Sequence, residues 1–127
     1  MKKALLAIGI PLVLIALLSV PLLKGAGYRN VTPEWLRNRL EHGDKLVVID
    51  VREPSEYARG HVQDAVLIPL GSLEQRAGSL DPQREYVLYC FSGDRSEEGA
   101  KLLVGKGFQH ISHMTGGLLG WKGPLVR

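Results

Sequence analysis

Only one cysteine, Cys90, occurs in the 127 residues. An internal disulfide is therefore excluded, the fold must stand on packing, and any disulfide would be intermolecular. Acidic residues are missing from the first 24 positions, which carry Lys2, Lys3 and Lys24. Setting those three lysines aside leaves 13 basic residues against 13 acidic ones, so the formal charge of +3 belongs to the amino-terminal stretch. The remainder is neutral and offers no electrostatic footprint for nucleic acid. Internal repeats and low-complexity stretches are absent as well. The length suits one domain with a real core.

What is present divides at about residue 24. Lys2 and Lys3 precede an uncharged run from Ala4 to Leu23, broken only by Gly9, Pro11, Ser19 and Pro21. About twenty residues at ~1.5 Å rise span roughly 30 Å, the thickness of a bilayer's hydrocarbon core. The run reads as a long signal peptide or a retained anchor. Its length, and a poor cleavage pattern at Gly25-Ala26-Gly27, favour the anchor. Lys2 and Lys3 place the amino terminus in the cytoplasm, although Lys24 and Arg29 on the far side weaken that bias. The body, residues 25–127, is then expected on the periplasmic side of a bacterial-type inner membrane, anchored or released after cleavage.

The body alternates strand and helix signals. Tyr28 to Val31 reads as a short edge strand. Thr32-Pro33-Glu34 opens a helix, with Thr32 as cap and Pro33 in the first position, and His42-Gly43 ends it. Leu46-Val47-Val48-Ile49 has the continuous β-branched character of a strand covered on both faces. Ser55 to Arg59 reads as one helical turn, Val66-Leu67-Ile68 as a strand, and Gly71 to Leu80 as a short helix. Ser96 to Val104 is expected to be helical, Phe108 to Ile111 a last strand, and Gly116 to Trp121 a closing turn. Such alternation predicts a small parallel α/β sheet flanked by helices.

The chemistry gathers at one corner. Tyr86-Val87-Leu88-Tyr89 is an apolar run that reads as a buried strand, and a loop from Cys90 to Arg95 follows. Gly93 can supply an unusual backbone angle, and Ser96 is a good helix cap with Glu97 and Glu98 behind it. Backbone N–H groups and a helix amino terminus would converge on the Cys90 sulfur and favour a thiolate there. Arg95 adds a permanent charge with a planar donor fork. A lone cysteine is most often an inert small hydrophobe, but this strand-loop-helix setting suits a reactive one. Asp50, with Arg52, stands at another strand's carboxyl end, the side where such sheets bind ligands. That pair is expected to brace the loop and not to touch substrate. His61 reads as a packing residue. His110 and His113 fall in a strand and a turn without a third ligand, so no metal is expected. Asp94 is the odd member, because a carboxylate opposes an anionic ligand. Either it faces solvent or the ligand preferred at this loop is of another kind.

These residues resemble the rhodanese family. Asp50-Val51-Arg52-Glu53-Pro54-Ser55-Glu56-Tyr57, Gly60-His61-Val62 and Ile68-Pro69-Leu70 are similar to its first long motif. Cys90-x-x-Gly93-x-Arg95-Ser96 resembles its active loop, and Gly116-Gly117 with Trp121 its carboxyl-terminal motif. The likeness covers about residues 29–124, and the amino-terminal hydrophobic segment is similar to those of exported single-domain members. Asp64 departs from it, standing where the family usually has Gly. The resemblance implies a rhodanese-like fold and sulfur transfer without a cofactor. Cys90 would take a sulfur from thiosulfate or a similar anionic donor as a persulfide and pass it to cyanide or a thiol. Phe91, Ser92, Gly93, Asp94 and Ser96 would form the active loop, with Arg95 binding the donor. Two rival readings stand beside it: a persulfide carrier serving one partner, and a cysteine phosphatase or arsenate reductase. The latter use Cys-x5-Arg, whereas Arg95 follows Cys90 at Cys-x4-Arg, a tighter cradle.

Overall fold

A computed structural model of the chain describes residues 27–127. The expected anchor lies outside them. Among the described residues no helix is long and apolar enough to cross a membrane.

Five parallel strands form one sheet in the order β1-β5-β4-β2-β3. They are β1 (Tyr28–Val31), β2 (Val47–Asp50), β3 (Val66–Leu67), β4 (Tyr86–Tyr89) and β5 (Ile111–Met114). The helices are α1 (Pro33–Glu41), α2 (Pro54–Arg59), α3 (Leu70–Arg76) and α4 (Asp94–Gly105). Strand order reverses between β2 and β4, and such reversals open a crevice beyond the strand carboxyl ends. The parallel sheet, the edge position of β1 and the central position of β4 all match the pattern in the residues.

Both faces of the sheet are buried, as the unbroken apolar strands require. On one face Ile49, Leu88 and Ile111 pack with Leu73 of α3 and Ala100 and Leu103 of α4. On the other, Val48, Val87 and Tyr89 pack with Leu36 of α1, Val62 and Met114. Thr32 caps α1 by accepting the Trp35 N–H at 3.1 Å.

Three elements depart from expectation by two residues or more. Helix α4 begins at Asp94, not Ser96, because Gly93 takes a left-handed conformation (φ 108°) and serves as the cap. The loop is therefore shorter, and Asp94 and Arg95 belong to the helix. The last strand is Ile111–Met114, not Phe108–Ile111. Gly107 (φ 95°) ends α4, and Phe108 turns back to donate its N–H to Leu103 O. That spends the segment on a turn before pairing begins. The expected helix from Gly71 to Leu80 is Leu70–Arg76 followed by a tight turn, Ala77–Ser79. Asp64, which replaces the family's usual Gly, is itself left-handed (φ 65°). Asp is among the few other residues that tolerate this conformation.

Candidate active site

Cys90 follows the last residue of β4, and Asp50 pairs in register with Tyr89, so the two share one rim of the sheet as expected. The turn after Cys90 folds back on its own sulfur. Gly93 N–H donates to Sγ at 3.1 Å and Ser96 N–H at 3.4 Å. A sulfur anion accepts well from such donors, with the start of α4 behind them. Cys90 is fully buried, while Phe91 beside it is 48% exposed. Ser92 and Asp94 are also exposed. The Asp94 carboxylate therefore faces water at the amino end of α4, where the helix dipole favours it.

A second turn clamps this loop from outside. Leu118 N–H donates to Cys90 O at 3.0 Å and Leu119 N–H to Phe91 O at 3.1 Å. Gly117 (φ +58°) makes the approach possible, since a Cβ there would stand 2.5 Å from both carbonyl oxygens. We expect Gly117→Ala to cost about 2 kcal/mol through this clash and the left-handed angle. It should also slow any chemistry at Cys90 by about tenfold. Denaturant unfolding and transfer rates on the same variant check both parts.

Asp50 and Arg52 form a buried pair behind the loop. Arg52 donates from its backbone N–H, Nε and Nη2 to the Asp50 carboxylate at 2.8–3.1 Å, and Nη2 also reaches Gly60 O at 2.8 Å. Tyr89 donates its hydroxyl to Asp50 at 2.7 Å and accepts the Val62 N–H at 3.1 Å. Burial, with the Asp50 hydrogen bond adding to it, pushes the Tyr89 hydroxyl far above its ordinary range, so it stays a donor. All the groups are satisfied, which suits a brace.

Arg95 is less free than the sequence suggests. Its guanidinium holds Glu56 of α2 in a two-pronged pair, 2.8 and 3.1 Å. Glu56 also accepts the Glu53 N–H at 3.1 Å. The Arg95 contact holds the Glu56 carboxyl down to about 2 from its usual 4.5, against the opposing effect of burial. A lowered carboxyl contributes stability above the unfolded value and loses it as pH falls through the folded one. The thermal midpoint gap between the parent and Glu56→Gln should be widest above about pH 4.5 and close toward pH 2.

His61 stacks on the Tyr57 ring at 3.6 Å, with Nδ1 against Tyr57 O at 2.9 Å, which is packing. His110 precedes β5, whereas His113 is inside it and buried, with Nδ1 3.1 Å from Ser96 Oγ. Among the described residues no His, Cys, Asp or Glu cluster could hold a metal ion. Sequence reasoning missed Glu56 as the Arg95 partner, His113 as the Ser96 neighbour, and the reason Gly117 must be glycine. The first two pairings span 39 and 17 residues, and no local pattern announces them.

The chain has relatives among known proteins. The rhodanese-like domain model matches residues 32–124. A Bacillus subtilis (strain 168) chain named "putative sulfurtransferase" is 35% identical over 95 residues, which are 75% of this chain and 91% of that one. A second B. subtilis chain, named "putative sulfur carrier protein", is 33% identical over 94 residues, 74% of this chain, and is spanned over only about half (51%) of its length. The solution structure of the rhodanese-like domain from an Anabaena protein superposes with a TM-score of 0.72 at 32% identity, covering 76% of this chain and 77% of that one. The domain model over residues 32–124, and a relative matched over nine-tenths of its length, show that the chain belongs to the rhodanese-like domain family, whose relatives here carry sulfurtransferase and sulfur-carrier names.

Proposed function

We propose that the protein moves a sulfane sulfur from thiosulfate or a similar anion to a thiol or cyanide through a persulfide on Cys90. The observation that carries this reading is the pair of N–H donors, Gly93 and Ser96, aimed at Sγ. In the first half-reaction the Cys90 thiolate attacks the outer sulfur of the donor. The new S–S bond forms as the donor's S–S bond breaks, and the electron pair leaves with sulfite. In the second, the acceptor anion attacks the outer sulfur, and Cys90 departs as thiolate. No net oxidation occurs, so no cofactor is required. The chain has no second cysteine to resolve the persulfide, so the acceptor is external.

Arg95 serves the donor from its pair with Glu56, with its charge fixed at the loop's edge. We place the body on the periplasmic side of an inner membrane, anchored through residues 4–23 or released. β1 and β4 are parallel, so residue 27 enters at the sheet end opposite Cys90.

A sulfurtransferase of this kind gives ping-pong kinetics, with parallel double-reciprocal lines as thiosulfate is varied at several cyanide concentrations. A second reading, a carrier for one dedicated partner, is favoured by the engagement of Arg95 with Glu56. A carrier would load once and turn over slowly with small acceptors. Intersecting lines would contradict both.

A further inference from the structure

Ser96 is fully buried beside the sulfur, with Oγ 3.7 Å from Cys90 Sγ. The same oxygen lies 3.0 Å from Gly93 O and 3.1 Å from His113 Nδ1. A serine hydroxyl has one proton and two lone pairs, and a carbonyl oxygen only accepts. The contact with Gly93 O therefore consumes the Ser96 proton. His113 Nδ1 must then carry a proton and donate it to Oγ. With the proton on Nε2 instead, one of the two short contacts would set lone pair against lone pair. Burial pulls the His113 imidazole below its ordinary range, with Glu97 opposing, which is consistent with a neutral ring.

This arrangement has a second state. Gly93 O also accepts the Glu97 N–H at 3.0 Å, so it stays satisfied if the Ser96 proton leaves it. Once Cys90 carries negative charge, its sulfur has no proton to give Ser96, and the Ser96 hydroxyl gains by turning toward it. His113 Nδ1–H then holds Oγ from behind and polarises the O–H bond, as hydrogen bonds in series do. The Tyr28 ring packs edge-on against the imidazole at 5.9 Å, and its hydroxyl is tied to Glu97 at 2.8 Å, which fixes the ring's setting.

We propose that His113 is a positioning residue for the sulfur site: its Nδ1–H holds the Ser96 hydroxyl so that this group becomes a third donor to the Cys90 anion, beside the N–H groups of Gly93 and Ser96. The proposal deepens the sulfur-transfer reading and rests on it for its role in catalysis. It does not make His113 an acid or base, since no proton leaves the imidazole.

The test compares persulfide formation from thiosulfate in the full chain carrying His113→Leu or His113→Asn, each with Ser96 present and on a Ser96→Ala background. Leu removes the donor, whereas Asn puts an amide N–H near the place of Nδ1–H. His113→Leu should slow loading by about tenfold, the scale of one hydrogen bond to a charged group. His113→Asn should recover most of that loss. The difference between them should vanish once Ser96 is alanine. Asn no better than Leu, or a difference that persists without Ser96, would overturn the proposal. Nitrogen-15 spectra of the parent imidazole give a readout that needs no sulfur chemistry. Protonated Nδ1 is expected, and protonated Nε2 alone would overturn it. If the parent fails to load from thiosulfate, the donor reading fails on its own. The same variants are then ranked by the rate of Cys90 alkylation with iodoacetamide, where the same order is expected and its absence counts against His113.

Discussion

Cys90→Ser should abolish sulfur transfer, by on the order of 10⁴-fold or more, as loss of a covalent nucleophile does. The fold should survive it. The smaller hydroxyl occupies the same buried place and can accept the N–H groups that Gly93 and Ser96 now direct at sulfur, so the cost should be about 1 kcal/mol. Steady-state transfer and thermal unfolding on one preparation separate the two effects. Transfer lost together with the fold would mean that Cys90 is held for packing. Transfer retained would remove it from the chemistry.

The largest effect on stability should come from Asp50→Ala. Asp50 and Arg52 are both buried; Asp50 supplies the negative charge against the Arg52 guanidinium and accepts the Tyr89 hydroxyl, and Gly60 O is the guanidinium's other hydrogen-bond partner. Removing it strands a buried cation, a cost of about 3–5 kcal/mol. Against a total of roughly 5–15 kcal/mol for a domain, that lowers the unfolding midpoint steeply. Arg52→Ala should act in the same direction by leaving the Asp50 carboxylate without its partner. In both variants, transfer per folded molecule, measured cold where the fold persists, should remain within several-fold of the parent. Loss of transfer without loss of stability in Arg52→Ala would place that guanidinium at the substrate instead of behind the loop.

The sequence made these residues visible to different degrees for physical reasons. The sheet was legible because β2 up to Ile49 and β4 throughout are apolar, a pattern that suits a parallel strand covered on both faces. The Cys90 corner was legible because strand, glycine and helix-start signals follow one another within a few residues. The start of α4 was read two residues late, since Ser96 looks like a cap while the real cap is Gly93 in a left-handed conformation. Ser96 faces inward instead, to Gly93 O and His113. β5 was read early because Phe108 and Ile111 suit a strand. The turn that closes α4 uses the residues before it. That shift carried His113 from an expected turn into the sheet interior. Arg95 was read as a free anion clamp because its partner Glu56 sits on α2, far along the chain. Long-range pairing of this kind leaves no periodic trace.

The measurement that meets the central claim most directly is the intact mass of the full chain after exposure to thiosulfate, with Cys90→Ser beside it and cyanide added afterwards. The account predicts a gain of one sulfur atom in the parent alone, which disappears with cyanide. An unchanged parent mass with thiosulfate, mercaptopyruvate and polysulfide alike, or an equal gain in Cys90→Ser, would contradict it.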